Sequence, residues 1–84
     1  MFNNKLKEKA KSLEPVIRIG KNGLTENTIK EIKKQLNKKK LVKLKLLKAF
    51  ISDKNKKEIA KEIAKKTNSK IIDLVGFVIV LYKD

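Results

Sequence analysis

At 84 residues and 40% hydrophobic content, the chain has room for one thin-cored domain and not for two. It contains neither cysteine nor histidine, which excludes a disulfide framework, a thiolate metal site and the commonest general base; no enzyme activity, metal or cofactor is expected. Twenty-three basic residues against nine acidic ones give a net charge of +14, which favours a polyanionic partner: RNA, DNA or an anionic membrane.

In chain order, residues 2–13 place Phe2, Leu6, Ala10 and Leu13 on one helical face. Glu14-Pro15 should end that helix, because a residue before proline is pushed out of the helical region. Residues 16–19 (VIRI) then read as a short strand, followed by the turn Gly20-Lys21-Asn22-Gly23. A second helix is expected from Thr25, a good N-cap, with Glu26 suited to the positive end of the helix dipole. Ile29, Ile32 and Leu36 supply its buried stripe, and Lys38, Lys39 and Lys40 stand where cations are favoured. Residues 41–47 alternate Val42, Leu44 and Leu46 against Lys43 and Lys45, as a strand with one buried and one wetter face does. Ser52-Asp53 offers caps for a third helix with Ile59, Ala60, Ile63 and Ala64 on its apolar face, ending near Thr67-Asn68. Residues 71–75 and 77–82 form two strands around Gly76, the second apolar on both faces.

The predicted order is α-β-α-β-α-β-β: an α/β single domain over residues 1–84, with one four-stranded mixed sheet packed by helices. The longest apolar run, residues 77–82, is strand-sized and well below the ~18 residues of a membrane span. No signal-peptide core follows the basic N-terminus, so a cytoplasmic protein with no membrane association is expected.

Charge is uneven along the chain. Residues 1–48 hold fifteen cations and four acids, for +11, and the remainder contributes +3. Opposite the apolar stripe of the second helix lie Asn27, Lys30, Lys34 and Lys38, a ridge relieved only by Glu31. The outer face of the third helix, Glu58, Lys61, Glu62 and Lys65, compensates itself. An A+T-rich genome would account for lysine replacing arginine everywhere but Arg18. It would not account for the shortage of acids.

A Gly-x-x-Gly turn between strand and helix suits a phosphodiester backbone. Its glycines leave no Cβ in the way of a closely approaching ligand, and the next helix presents unpaired N–H groups and a positive dipole end. Lys21 adds a cation and Asn22 an amide that both donates and accepts. KH domains clamp nucleotides with a GXXG loop on this principle. The spacing GxxxxGK[ST] of a nucleotide-binding P-loop is met nowhere.

Residues 14–25, EPVIRIGKNGLT, closely resemble the signature of the CRM domain (chloroplast RNA splicing and ribosome maturation), in particular its stand-alone YhbY-like members. Residues 41–45 (LVKLK), Gly76 and residues 81–83 (LYK) match later landmarks in the right order. Phe77 departs from the pattern, where a polar or basic residue is expected after the glycine. Lys83 stands where arginine is usual, which keeps the charge and loses the bidentate fork. The resemblance implies a fold similar to the C-terminal domain of a bacterial translation initiation factor, with RNA bound through the GxxG loop and the adjoining basic surface. Prokaryotic members associate with precursors of the large ribosomal subunit, and plant members assist group II intron splicing.

The expectation is therefore a monomeric RNA-binding protein that contacts structured ribosomal RNA during large-subunit assembly, with no small-molecule substrate. Its RNA-contacting residues are expected to be Arg18, Gly20, Lys21, Asn22, Gly23, Thr25, Asn27, Lys30, Lys34, Lys38, Lys43 and Lys45. The two strand lysines qualify only if their sheet face is open. A protein-interaction module, or an RNA chaperone or splicing-type factor without a ribosomal role, is the alternative.

Overall fold

The computed structural model describes residues 4–20, 23–48 and 55–83. They form α1 (Asn4–Lys11), β1 (Ile17–Ile19), α2 (Glu26–Lys39), β2 (Leu41–Leu46), α3 (Lys56–Thr67), β3 (Lys70–Val75) and β4 (Val78–Tyr82), in that order. The strands lie in one sheet in the order β1-β2-β4-β3. β1 runs parallel to β2, as expected of two strands joined through a helix, and β4 runs antiparallel to both β2 and β3.

Two apolar layers hold the sheet between its helices. On one face Ile32 and Leu36 of α2 and Ile59, Ala60, Ile63 and Ala64 of α3 pack on Ile19, Val42, Leu44, Leu46, Ile79 and Leu81. On the other face the short helix α1 docks Ala10, with Leu6 and Leu13 beside it, on Leu41, Ile72, Val80 and Tyr82. β4 therefore contributes to both layers, which is why its sequence lacks alternation. Tyr82 is a half-buried member of the second layer.

Local chemistry sets the element ends. Thr25 caps α2, its hydroxyl accepting from Thr28 N–H at 3.1 Å. α2 ends at Lys40, which carries φ +67 while its N–H donates to Leu36 O at 2.8 Å. Asn55 caps α3 by accepting from Lys57 N–H at 2.9 Å; the expected caps Ser52 and Asp53 lie outside the described residues, as does Phe2. Asn68, left-handed at φ +55, ends α3, and Ser69 N–H reaches back to Ala64 O at 2.9 Å. Thr67, fully buried, satisfies its hydroxyl on Ile63 O at 2.7 Å. At its C-terminal end helix α1 stops two residues short of the expected Leu13: its turns close after Lys11, ahead of Pro15.

Gly76 and Phe77 form a two-residue hairpin loop between the paired Val75 and Val78, with Gly76 at φ +59. A positive φ at the first loop position alone is the type II′ arrangement, and it requires the glycine. A bulge lies within β3. Ile71 pairs with Leu81 and Asp73 with Val80, so Ile72 is the extra residue. Strict alternation would have aimed Asp73 into the layer beneath α3. The bulge keeps Ile72 and Asp73 on the α1 side and returns Leu74 to the main core.

Candidate nucleic-acid interface

The glycine turn sits where the carboxyl end of β1 passes into α2. Gly23 N–H donates to Gly20 O at 2.9 Å, closing a four-residue turn, and Gly23 has φ +68. Only glycine enters that region freely. Gly20 is a glycine for a different reason. A Cβ there would meet the Leu47 side chain at 3.2 Å, while Leu47 N–H donates to Ile19 O at 2.9 Å. Gly20 is thus pressed against the chain leaving β2, and Gly23 is tied back to it. Lys21 and Asn22 lie outside the described residues.

From Thr25, α2 carries its predicted ridge outward. Asn27, Lys30, Lys34 and Lys38 are all exposed, as are Lys33, Lys39 and Lys40. Glu31, the acid expected to relieve the ridge, accepts from the neutral Gln35 amide at 3.2 Å. Between Asn27 and Lys38 the ridge extends about 17 Å along the helix axis at 1.5 Å per residue. Its companion helix differs: on α3, Glu62 pairs with Lys66 at 3.0 Å across one turn. The Thr25 hydroxyl is committed to the cap and to Thr28 Oγ1 at 3.0 Å.

On the sheet, the two strand lysines part company. Lys43 is half-buried, and its ammonium donates to the carbonyls of Ala10 at 3.3 Å and Leu13 at 3.2 Å. These carbonyls stand at and just beyond the C-terminal end of α1, where a cation is favoured. The ammonium of Lys43 is thus engaged by the end of α1, and its side chain lines the cavity beside that helix instead of standing on an open sheet face. Lys45, one step beyond α1, is exposed, and its register partner on β1 is the exposed Arg18. Arg18, Lys45 and the turn at Gly20 therefore share one end of the sheet. A further cation carries no signal of its own in the sequence: Lys56, at the start of α3, donates to Gly76 O at 2.9 Å and lies 5.0 Å from the centre of the Phe77 ring. Phe77 O in turn accepts from Leu46 N–H at 2.7 Å. Only the oddity of an aromatic after Gly76 hints at this clasp. Lys83, the other departure noted in the sequence, donates to Asn37 Oδ1 at 3.0 Å and ties the last described residue to α2.

Comparison with known proteins gives the chain's relatives and its fold. The model of the CRS1 / YhbY (CRM) domain matches residues 3–83. The "Probable RNA-binding protein MJ0652" of Methanocaldococcus jannaschii is 41% identical over 78 residues, which cover 93% of this chain and 58% of that protein. The "Probable RNA-binding protein YqeI" of Bacillus subtilis is 35% identical over 94% of this chain and 80% of its own length. An RNA-binding protein of Haemophilus influenzae is 36% identical over 93% and 77%. None of the three carries the name of an enzyme. Among solved structures, the solution structure of the Staphylococcus aureus hypothetical protein SAV1595 superimposes with a TM-score of 0.78 at 33% identity, over all of this chain and 90% of that one.

Proposed function

Since this chain belongs to the CRS1 / YhbY (CRM) domain family, we propose that it binds RNA, holding the sugar-phosphate backbone at the Gly20–Gly23 turn and along the lysine ridge of α2. The observation that carries the reading is the continuity of the two features. A turn with glycine at both ends opens directly onto the N-terminus of the helix whose outer face is Asn27, Lys30, Lys34 and Lys38. The naming of three relatives as RNA-binding proteins supports it. With four aromatic residues in 84, contacts to phosphate and to RNA shape outweigh base stacking, and binding weakens steeply with salt. The narrower reading, ribosomal RNA during large-subunit assembly, rests on the family resemblance.

A Gly20→Asp, Lys21→Glu double variant tests the grip. Leu47 must give way to the new Cβ, so folding is checked by circular dichroism and melting temperature, and Lys21→Glu alone is measured beside it. In the folded double variant affinity for a structured rRNA fragment should fall at least about tenfold, which corresponds to about 1.4 kcal/mol of binding free energy, with the single variant falling in the same direction. Unchanged affinity in a folded variant sinks the proposed site. Crosslinking in cells tests the narrower reading: large-subunit rRNA precursor should be enriched, and recovery of tRNA alone would refute it.

A further inference from the structure

Among the described residues, helix α1 (Asn4–Lys11) leaves part of its face of the sheet open, and what it leaves open is not featureless. Beside it lies a cavity of about 250 Å³ whose floor is Val75, Val78 and Val80 and whose rim carries Lys7 and Lys11. Asp73 stands in its wall because the β3 bulge turns that carboxylate to this side. Val75 is 64% exposed although it is a strand residue paired with Val78. Strand register links the cavity to the proposed grip. Arg18 pairs with Lys45, Lys45 with Val78, and Val78 with Val75. That row crosses all four strands, a distance of roughly 15 Å at about 4.8 Å per strand, and begins two residues before Gly20.

Taken together, the parts match one kind of ligand. An apolar floor suits the faces of a base, lysines and arginine on both sides suit its phosphates, and a single carboxylate suits an amino group on the base edge. The volume falls below the roughly 300–1,000 Å³ of sites that bury a drug-sized molecule, which favours one base over a larger group. We propose that this cavity takes an unpaired nucleotide of the bound RNA, with the base against Val75 and Val78, its phosphates between the α1 lysines and the Arg18–Lys45 pair, and Asp73 accepting from an exocyclic amino group. The proposal rests on the RNA-binding reading above and adds to it a site for single-stranded RNA, separate from the backbone grip. Asp73 Oδ1 already accepts from Leu74 N–H at 3.0 Å, which fixes the carboxylate without consuming its capacity to accept further.

The test uses the full chain with three probes at one salt concentration: a blunt RNA duplex, a ten-residue oligocytidylate and a ten-residue oligouridylate. Val75→Glu changes an exposed residue and should leave melting temperature and duplex affinity unaltered while weakening oligocytidylate about tenfold, in the range expected when one base is no longer held. Asp73→Asn retains an acceptor for Leu74 N–H and should reduce a preference for oligocytidylate over oligouridylate of about fivefold to near unity. Equal oligonucleotide affinity in folded wild type and Val75→Glu overturns the nucleotide site, and duplex binding then still stands for the backbone grip. Failure of all three probes to bind the wild type overturns both readings.

Discussion

Lys43 and Lys45 are neighbours on one face of β2 and have opposite uses. The first holds down the end of α1 through two carbonyls, and the second stands free of that helix beside Arg18. Lys43→Ala should therefore cost about 1.5–3 kcal/mol in denaturant unfolding, the range for hydrogen bonds to a charged group. Lys45→Ala should stay within about 0.5 kcal/mol of wild-type stability and weaken RNA binding instead. Reversal of that pattern would place α1 differently. Lys40 makes a second residue-scale case: a side chain at φ +67 is strained by roughly 1 kcal/mol, which glycine relieves. Lys40→Gly should raise the unfolding free energy by up to about 1 kcal/mol, and a decrease would show that the Lys40 side chain makes a compensating interaction. Alternation tells which face of β2 is buried, but both lysines read alike. Their difference depends on where a helix thirty residues away comes to rest, and that is a tertiary fact.

Among the elements, α2 is the most legible, because cap, stripe, ridge and final lysines all agree on the same helix. Replacing Lys30, Lys34 and Lys38 by alanine should lower the slope of log affinity against log salt by about 0.9 for each duplex-RNA phosphate no longer neutralised, with little change in stability. A slope that does not move would remove the ridge from the interface. β3 is the least legible. Residues 70–75, KIIDLV, contain no glycine, and although Asp73 interrupts the apolar run, it does not say locally whether the strand bulges or simply presents that residue to solvent. The bulge is imposed from outside, since Asp73 beneath α3 would be a charge buried in an apolar layer. The hairpin, by contrast, can be read from Gly76 alone, apart from the clasp of Lys56 on Phe77.

On the scale of the whole molecule, +14 on 84 residues is a standing repulsion that the fold tolerates more than it uses. Screening should relieve it, so melting temperature should rise between low and moderate salt, and rise again on adding heparin, which binds the concentrated charge of the folded state more tightly than the same charge spread along the unfolded chain. A melting temperature indifferent to salt would mean that the charges are already mutually compensated. The α/β class and strand count follow from periodicity. The strand order does not, because parallel β2 and β3 leave room for a third strand between them, and only the antiparallel hairpin at Gly76 says that β4 fills it.

That central strand has a consequence for how the protein is made. β4 is the last of the four strands in the chain and the one that joins β2 to β3. While the ribosome is still extending the nascent chain, β2 and β3 each wait with an unfilled edge, and both apolar layers lack the residues β4 supplies. Folding of the sheet should therefore be completed only after Tyr82 has cleared the exit tunnel, with the earlier strands exposed to mispairing until then.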